Sequence, residues 1–236
     1  MNVTEIGQGI RHRQRYSLAG VYPALVVDVS DPEDQGRVRV ELPWIAEEDI
    51  GQAQAWARCA TFMAGADRGS WFIPEIGDEV LIAFIAGNPR WPVVVGALWN
   101  GVDNPPETMD PGGENNIRSI TSRSGHRVTL DDTAGAELVK IETQGGHVLN
   151  LDDGNGGVIT VHHSGGAEIK IDASGTISIT AINQVNIDAP AGLNVTASMV
   201  DVQAPMSTFS GVVKAETVIT NAVVSSSYTP GAGNVW

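Results

Sequence analysis

Two adjacent carboxylate pairs, Asp131-Asp132 and Asp152-Asp153, stand at equivalent places in two related segments, GHRVTLDD at 125–132 and GHVLNLDD at 146–153. Paired acids can hold Ca²⁺ or divide the acid and base work of glycoside hydrolysis. Both uses need the two groups to converge, and neighbouring residues of a strand point to opposite faces. Each pair also leads into a turn, DDTAG or DDGNGG, where Asp and Asn serve the backbone. A structural role is expected. Ser124, His126 and Asp131 supply the residue types of a hydrolase triad, but without the G-x-S-x-G elbow that would expose a nucleophile. His162-His163 could bring one imidazole per chain to a threefold axis and make a three-His metal site; a packed or solvated histidine is the simpler expectation. His126 and His147 occupy matching places in the two segments, which fits a turn or packing role. Cys59 is the only cysteine, so no intrachain disulfide can form. Its setting, ARCATFM, suggests a small buried hydrophobe rather than a nucleophile. There is no P-loop, dinucleotide fingerprint or metal-ligand spacing. The residues therefore suggest no catalytic site, no metal and no cofactor, and a protein that is not an enzyme.

What positions these side chains is a chain of β character throughout. The first hundred residues hold 8 basic and 13 acidic side chains; the whole chain of 236 residues has net charge −14. Such a chain repels phosphate backbones, so nucleic acid is not an expected partner. No apolar run reaches the ~18 residues of a membrane span, and MNVTEIGQGIRHRQRYSLAG lacks the apolar core of a signal peptide. Synthesis and folding in the cytoplasm are expected.

Five of the six tryptophans lie between Trp44 and Trp99. Five β-rich runs fill residues 20–100: VYPALVVDV, GRVRVELPW, AWARCATFM, DEVLIAFI and WPVVVGAL. Val38, Val40 and Leu42 alternate with Arg37, Arg39 and Glu41, the period of a half-buried strand. Five short antiparallel strands punctuated by Gly and Pro suit a small OB-type barrel over residues 17–100. Residues 1–16 form an N-terminal arm containing Arg11, Arg13 and Arg15. Residues 101–117, GVDNPPETMDPGGENNI, read as a linker.

From residue 118 to 236 the chain is a repeat array. Short alternating runs tighten into octads: Ile177, Val185 and Leu193 are eight apart, as are Ile179, Ile187 and Val195, and a step of seven reaches Val202. Eight extended residues span at most about 26 Å. That is too short to encircle a side-chain core, so a closed layer needs about three segments. Under four clear octads make barely one coil if a single chain supplies them. Three chains supply about a dozen. The octads therefore predict a homotrimer whose core residues are Ile177, Ile179, Val185, Ile187, Leu193, Val195 and Val202. The fold class is all-β: an OB barrel followed by an intertwined trimeric β-helix, a prism-shaped needle on the order of 60 Å long. Apolar pairs continue at Val212-Val213, Val218-Ile219 and Val223-Val224, so the needle is expected to narrow and persist to about Ser225. Tyr228, Val235 and Trp236 would then converge, in three copies, at its tip.

The sequence resembles phage baseplate spike proteins of the baseplate assembly protein V type, and is similar to the central part of type VI secretion spikes, the VgrG proteins. In the first half the resemblance rests on GRVRVELPW, on SWFIPEIGDEVLIAFIAGNPRWPVVVGALWNG and on Pro105-Pro106. In the second it rests on SGHRVTLDD, IKIDASGTISITA and the octads. It implies an OB collar and a trimeric needle at the tip of a contractile tube, driven into a target envelope. About sixteen residues precede the barrel, so it implies a separate hub protein; the basic cluster with Arg11, Arg13 and Arg15 reads either as a tether to that hub or as a disordered tail. The end SSSYTPGAGNVW lacks the His-x-His apex of some needles and looks like one capped by a PAAR-type tip protein; Tyr228, Val235 and Trp236 are expected to contact that cap, the favoured reading, or the target membrane on firing. Inner-tube and baseplate components are implied partners, the target envelope a transient one. The implied location is a virion tail baseplate or a phage-derived extracellular particle, more than a type VI apparatus. Two other readings compete: a β-helical polysaccharide-degrading enzyme, and an OB-fold binder of oligonucleotides or sugars. Either could be a monomer, whereas the spike must be a trimer.

Overall fold

The computed structural model describes residues 18–47 and 51–227. The proposed tether residues Arg11, Arg13 and Arg15 and the tip residues Tyr228, Val235 and Trp236 lie outside them. The chain divides into two compact units, Met1–Asn183 and Gln184–Trp236. No α-helix occurs among the described residues.

Alternation of apolar and polar residues makes the first strands and closes them into a barrel. Val38, Val40 and Leu42 all point inward and are buried, while Arg37, Arg39 and Glu41 face out. The strands are β1 (Val21–Asp28), β2 (Arg37–Glu47), β3 (Gly51–Cys59), β6 (Glu79–Phe84) and β7 (Pro92–Ala97), with a small β4–β5 hairpin (Ala64–Gly65, Arg68–Gly69) between the third and fourth. All five expected runs are strands. The barrel order is β1-β2-β3-β7-β6. One expectation is corrected: β3 pairs with β7 in parallel, Arg58 beside Val93 and Cys59 beside Val94. An antiparallel meander alone leaves two open edges, and this parallel seam removes them. Ala24, Val26, Val38, Val40, Ala57, Val80, Ile82 and Val94 fill the interior, with Leu42 and Phe84. Tyr22 and Trp44 close one end, stacked at 4.5 Å, each polar tip satisfied by a carbonyl: the Tyr22 hydroxyl donates to Ala19 and the Trp44 indole to Pro23.

After the linker comes an antiparallel meander: β8 (Ile117–Thr121), β9 (Arg127–Asp131), β10 (Leu138–Glu142), β11 (Val148–Asp152), β12 (Val158–His162), β13 (Glu168–Ile171) and β14 (Ile177–Thr180), paired in sequence order. Its turns share one design. At 122–126, 143–147, 163–167 and 172–176, a glycine N–H donates to the carbonyl three residues back, and the first and last residues close the hairpin. Gly125, Gly146, Gly166 and Gly175 all have φ between 82° and 97°, the left-handed position a three-residue hairpin with a bulge demands. Between residues 117 and 180 the strands thus find their partners within one chain. The sheet sits against the barrel through Arg123 and Glu75, 2.9 Å apart, and against the linker through Glu107, which accepts from Ser119 at 2.7 Å and pairs with Arg127.

In the second unit the described chain makes no strand of its own. From Ile182, at the end of the first unit, bends and turns fall at Pro190, Ser198 and Pro205, then at Ser210, Glu216, Asn221 and Ser226. The interval is eight residues at first and about five by the end.

Candidate functional site

The pleat sorts the meander's side chains into two unlike faces. Register pairs Val128 with Ile141, Leu130 with Val139, Ile141 with Leu149, Leu151 with Ile159, Val161 with Ile169, and Ile169 with Ile179. Residues opposite one another share a face. One face therefore carries two aliphatic residues from every strand from β9 to β14, with Ile120 of β8 continuing the row. Six inter-strand spacings make it ~29 Å long. Among the described residues most of it is left uncovered: Val139, Ile141, Leu151, Ile159, Val161 and Ile169 are 39–47% exposed and Ile177 and Ile179 above 60%, while Val128, Leu149 and Ile171 are partly buried. Monomers rarely expose apolar patches of more than a few hundred Å². Covering one of these half-shielded side chains would gain on the order of 1 kcal/mol.

The opposite face is polar along its centre. Thr129, Lys140, Asn150, Thr160, Lys170 and Ser178 are successive cross-strand neighbours. Lys140 pairs with Glu142, and His162 lies 3.5 Å from Glu168. Leu138, Val148 and Val158 flank this polar centre on the same face, and Thr129, at 9% exposure, is its most covered residue.

In the second unit the octad residues Val185, Ile187, Leu193, Val195 and Val202 are 53–70% exposed among the described residues.

The residues considered for chemistry are placed apart. Asp131 accepts hydrogen bonds from the Thr133 amide and hydroxyl, which hold its carboxyl below the usual carboxylate range, while Asp132 pairs with Arg118. Asp172 does the same for Ser174 and Thr176 in its own turn. These carboxylates bind their own loops. Ser124 and His126 sit at one end of β9 and Asp131 at the other, so no triad assembles. His126 Nδ1 accepts from the Gln144 amide at 3.3 Å, and His147 Nδ1 from the Ser164 amide at 3.2 Å. Each histidine thereby ties its turn to the next, and the His147 and His163 rings lie 4.5 Å apart. Their matching places in the repeat had signalled this role. His162 belongs to the polar face, away from the aliphatic row. Cys59 is half-buried, and burial pushes its thiol pKa up. No cluster of three metal-binding side chains occurs among the described residues.

Sequence reasoning missed the exposure of Trp71, Trp91 and Trp99, each 57–75% exposed; their spacing in loops between strands was the available signal. It also missed the shortening of the bend interval, although the Val-Val and Val-Ile pairs already recur five or six residues apart.

Residues 22–99 match the family model described as the type VI secretion system/phage-baseplate injector OB domain. The barrel is similar to an injector OB domain. The match covers the five barrel strands almost from end to end. Relatives extend the likeness past the barrel. The type VI secretion system spike protein VgrG1a of Pseudomonas aeruginosa is 28% identical over 116 residues, 46% of this chain and 18% of its own length. VgrG2a of the same organism is 36% identical over 78 residues, 33% of this chain and 9% of its own. The actin cross-linking toxin VgrG1 of Vibrio cholerae is 27% identical over 111 residues, 45% of this chain and 10% of its own. The chain spans only about a tenth to a fifth of these relatives. Two of these relatives are named as type VI secretion system spike proteins.

Proposed function

We propose that this protein is the trimeric central spike of a contractile tail or phage-like injection particle, a structural part that transmits axial force into the target envelope. The observation that carries the proposal is the uncovered aliphatic row of the meander. A strip two side chains wide is too narrow for a broad two-sheet sandwich, whereas three such strips turned to one axis enclose a prism core. The octads extend the same logic. Residues 117–180 pair within one chain, and the octads, which lack strand partners of their own, would pair between chains and intertwine. Ile177, Ile179, Val185, Ile187, Leu193, Val195 and Val202 would then face the axis. The bend interval falling from eight residues to about five shortens each segment from about 26 Å to about 16 Å, which suits a shaft narrowing toward its end.

The collar would span residues 17–100, the linker 101–117 and the spike 118–236. A hub would be held through Arg11, Arg13 and Arg15, and a PAAR-type tip protein by Tyr228, Val235 and Trp236. Force comes from the contracting machine, so this part needs stiffness rather than a catalytic centre. Particles made without this protein should fail to puncture target cells and regain that ability when it is supplied in trans. Ile187→Asp should fail to restore it. Full puncturing activity from particles lacking the chain, or from the Ile187→Asp protein, would refute the role.

A further inference from the structure

The barrel carries one surface that a purely structural collar does not require. OB barrels that bind ligands do so on the face of their second and third strands, between the loop joining the first two strands and the loop joining the last two. Here that place is a cleft of about 340 Å³ lined by Gln35, Arg37, Trp56, Arg58, Arg90 and Trp91, with Ile85 and Pro92 behind them. Its composition reverses the acidity of the chain: four of the five arginines between residues 18 and 100 gather in or beside it.

Its construction breaks a local rule. Arg37 and Arg58 are direct cross-strand partners, and like charges so placed are destabilising. Arg37 is neutralised: Asp31 takes its guanidinium and also accepts from the Glu33, Gln35 and Arg37 amides, which fixes the first loop. Arg39 pairs with Asp28 at 3.0 Å. Both guanidinium groups also lie 5.8 Å from the Trp56 ring centre. Arg58 and Arg90 make no ion pair among the described residues, and both are exposed. The second loop is equally fixed. The Ile85 amide donates to Trp91, the Trp91 and Asn88 amides close successive turns, and Ala86 takes a left-handed φ of 52°. That geometry holds Arg90 and the open Trp91 ring at the mouth.

We infer that this cleft binds a short acidic saccharide, a few sugar rings carrying a carboxylate or a phosphate. Trp91 offers a flat apolar surface for a sugar ring. Arg58 and Arg90 offer forked donors that match a carboxylate or phosphate. The volume is at the small end for ligand sites and suits a few rings. A long polyphosphate such as single-stranded DNA is disfavoured, because only one spot is basic and the rest of a −14 chain repels each further phosphate. This inference stands apart from the spike role, since it concerns the outer face of the barrel and not the aliphatic row.

The test is calorimetry and tryptophan fluorescence on the full chain with trigalacturonate, phosphorylated maltotriose, neutral maltotriose and a dT6 oligonucleotide. At least one acidic trisaccharide should bind saturably, about tenfold or more tighter than maltotriose, and trigalacturonate against the phosphorylated sugar tells which oxyanion is preferred. Trp91→Ala and the pair Arg58→Gln with Arg90→Gln should each weaken it about tenfold or more. Trp91→Phe, which keeps a ring, and Arg68→Gln, outside the cleft, should leave it nearly unchanged. Failure of both acidic sugars to bind, equal binding of maltotriose, or tighter binding of dT6 would overturn the assignment. So would binding that survives the double arginine variant, or arginine variants that change the oligomeric mass instead of ligand binding.

Discussion

The barrel and the meander are both built from alternating strands, yet they dispose of their apolar faces in opposite ways. The barrel rolls its inner face onto itself through the parallel β3–β7 seam, and Val38, Val40, Ala57, Val80 and Ile82 reach 0% exposure. The meander stays open, and most of its aliphatic row, Val139, Ile141, Leu151, Ile159, Val161, Ile169, Ile177 and Ile179, remains 39–64% exposed, with Val128, Leu149 and Ile171 partly buried. The difference teaches where each region finds its stability. The barrel's is intramolecular and should not depend on concentration. The meander's aliphatic row is left largely uncovered among the described residues, and the proposed trimer would bury it.

The sharpest way to break this contrast is to place one charge on each face of a single strand. Ile159 and Thr160 are neighbours in β12 that point to opposite faces. In the proposed trimer, Ile159→Asp would bury three unpaired carboxylates near one axis, at several kcal/mol each. Gel filtration should show loss of the trimer. Thr160→Asp, on the polar face, should elute as wild type. If both variants, or neither, dissociate, the face assignment is wrong.

A second substitution probes the barrel. Ile82→Ala removes a fully buried side chain and should cost about 2–5 kcal/mol. The loss should appear as a lower melting temperature of the barrel transition, unchanged on tenfold dilution, with the mass of the assembly retained. A concentration-dependent barrel transition would mean that the barrel, too, is held by its neighbours.

Much of this contrast was legible in the residues, and its limits have physical causes. The alternation of Val38, Val40 and Leu42 with charged residues gave the strand and its inner face directly. The parallel seam was not legible, because Arg58 and Val93 lie far apart in sequence and the pattern of a strand does not encode the direction of its partner. The octads announced segments too short to close a core alone. The bend interval of five was present in the Val-Val pairs but needed the backbone to show where each segment stops. For the cleft, net charge misled: a sum over the chain hides four arginines brought to one face by β2, β3 and one loop.

Smaller effects refine the picture at the turns. Gly146 has φ of 85° and a Cβ there would meet Ser164 Cβ at 3.4 Å, so space is adequate and the backbone conformation is the obstacle. Gly146→Ala should cost on the order of 1 kcal/mol per chain, seen as a modest fall in the melting temperature of the meander. No change would mean that the turn does not set the register of β10 and β11.

The most pH-dependent effect concerns Asp31. The Arg37 guanidinium and three amides hold its carboxyl well below the usual range. A depressed folded pKa stabilises the fold fully above the unfolded value of ~4, and that contribution is lost as pH falls below it toward the folded pKa. Asp31→Asn should therefore lower the barrel's melting temperature by a constant amount above about pH 5, and the gap from wild type should close as pH drops below 4. A gap that widens on acidification would contradict the loop's electrostatic design.

The most direct test of the central claim is the mass of the full chain in solution, by light scattering or native mass spectrometry, across a wide dilution series. One chain weighs 24.9 kDa. The account predicts a single species of three chains that persists on dilution, and no stable monomer or dimer. A monodisperse monomer, or a dimer closed by two facing aliphatic rows, would contradict it.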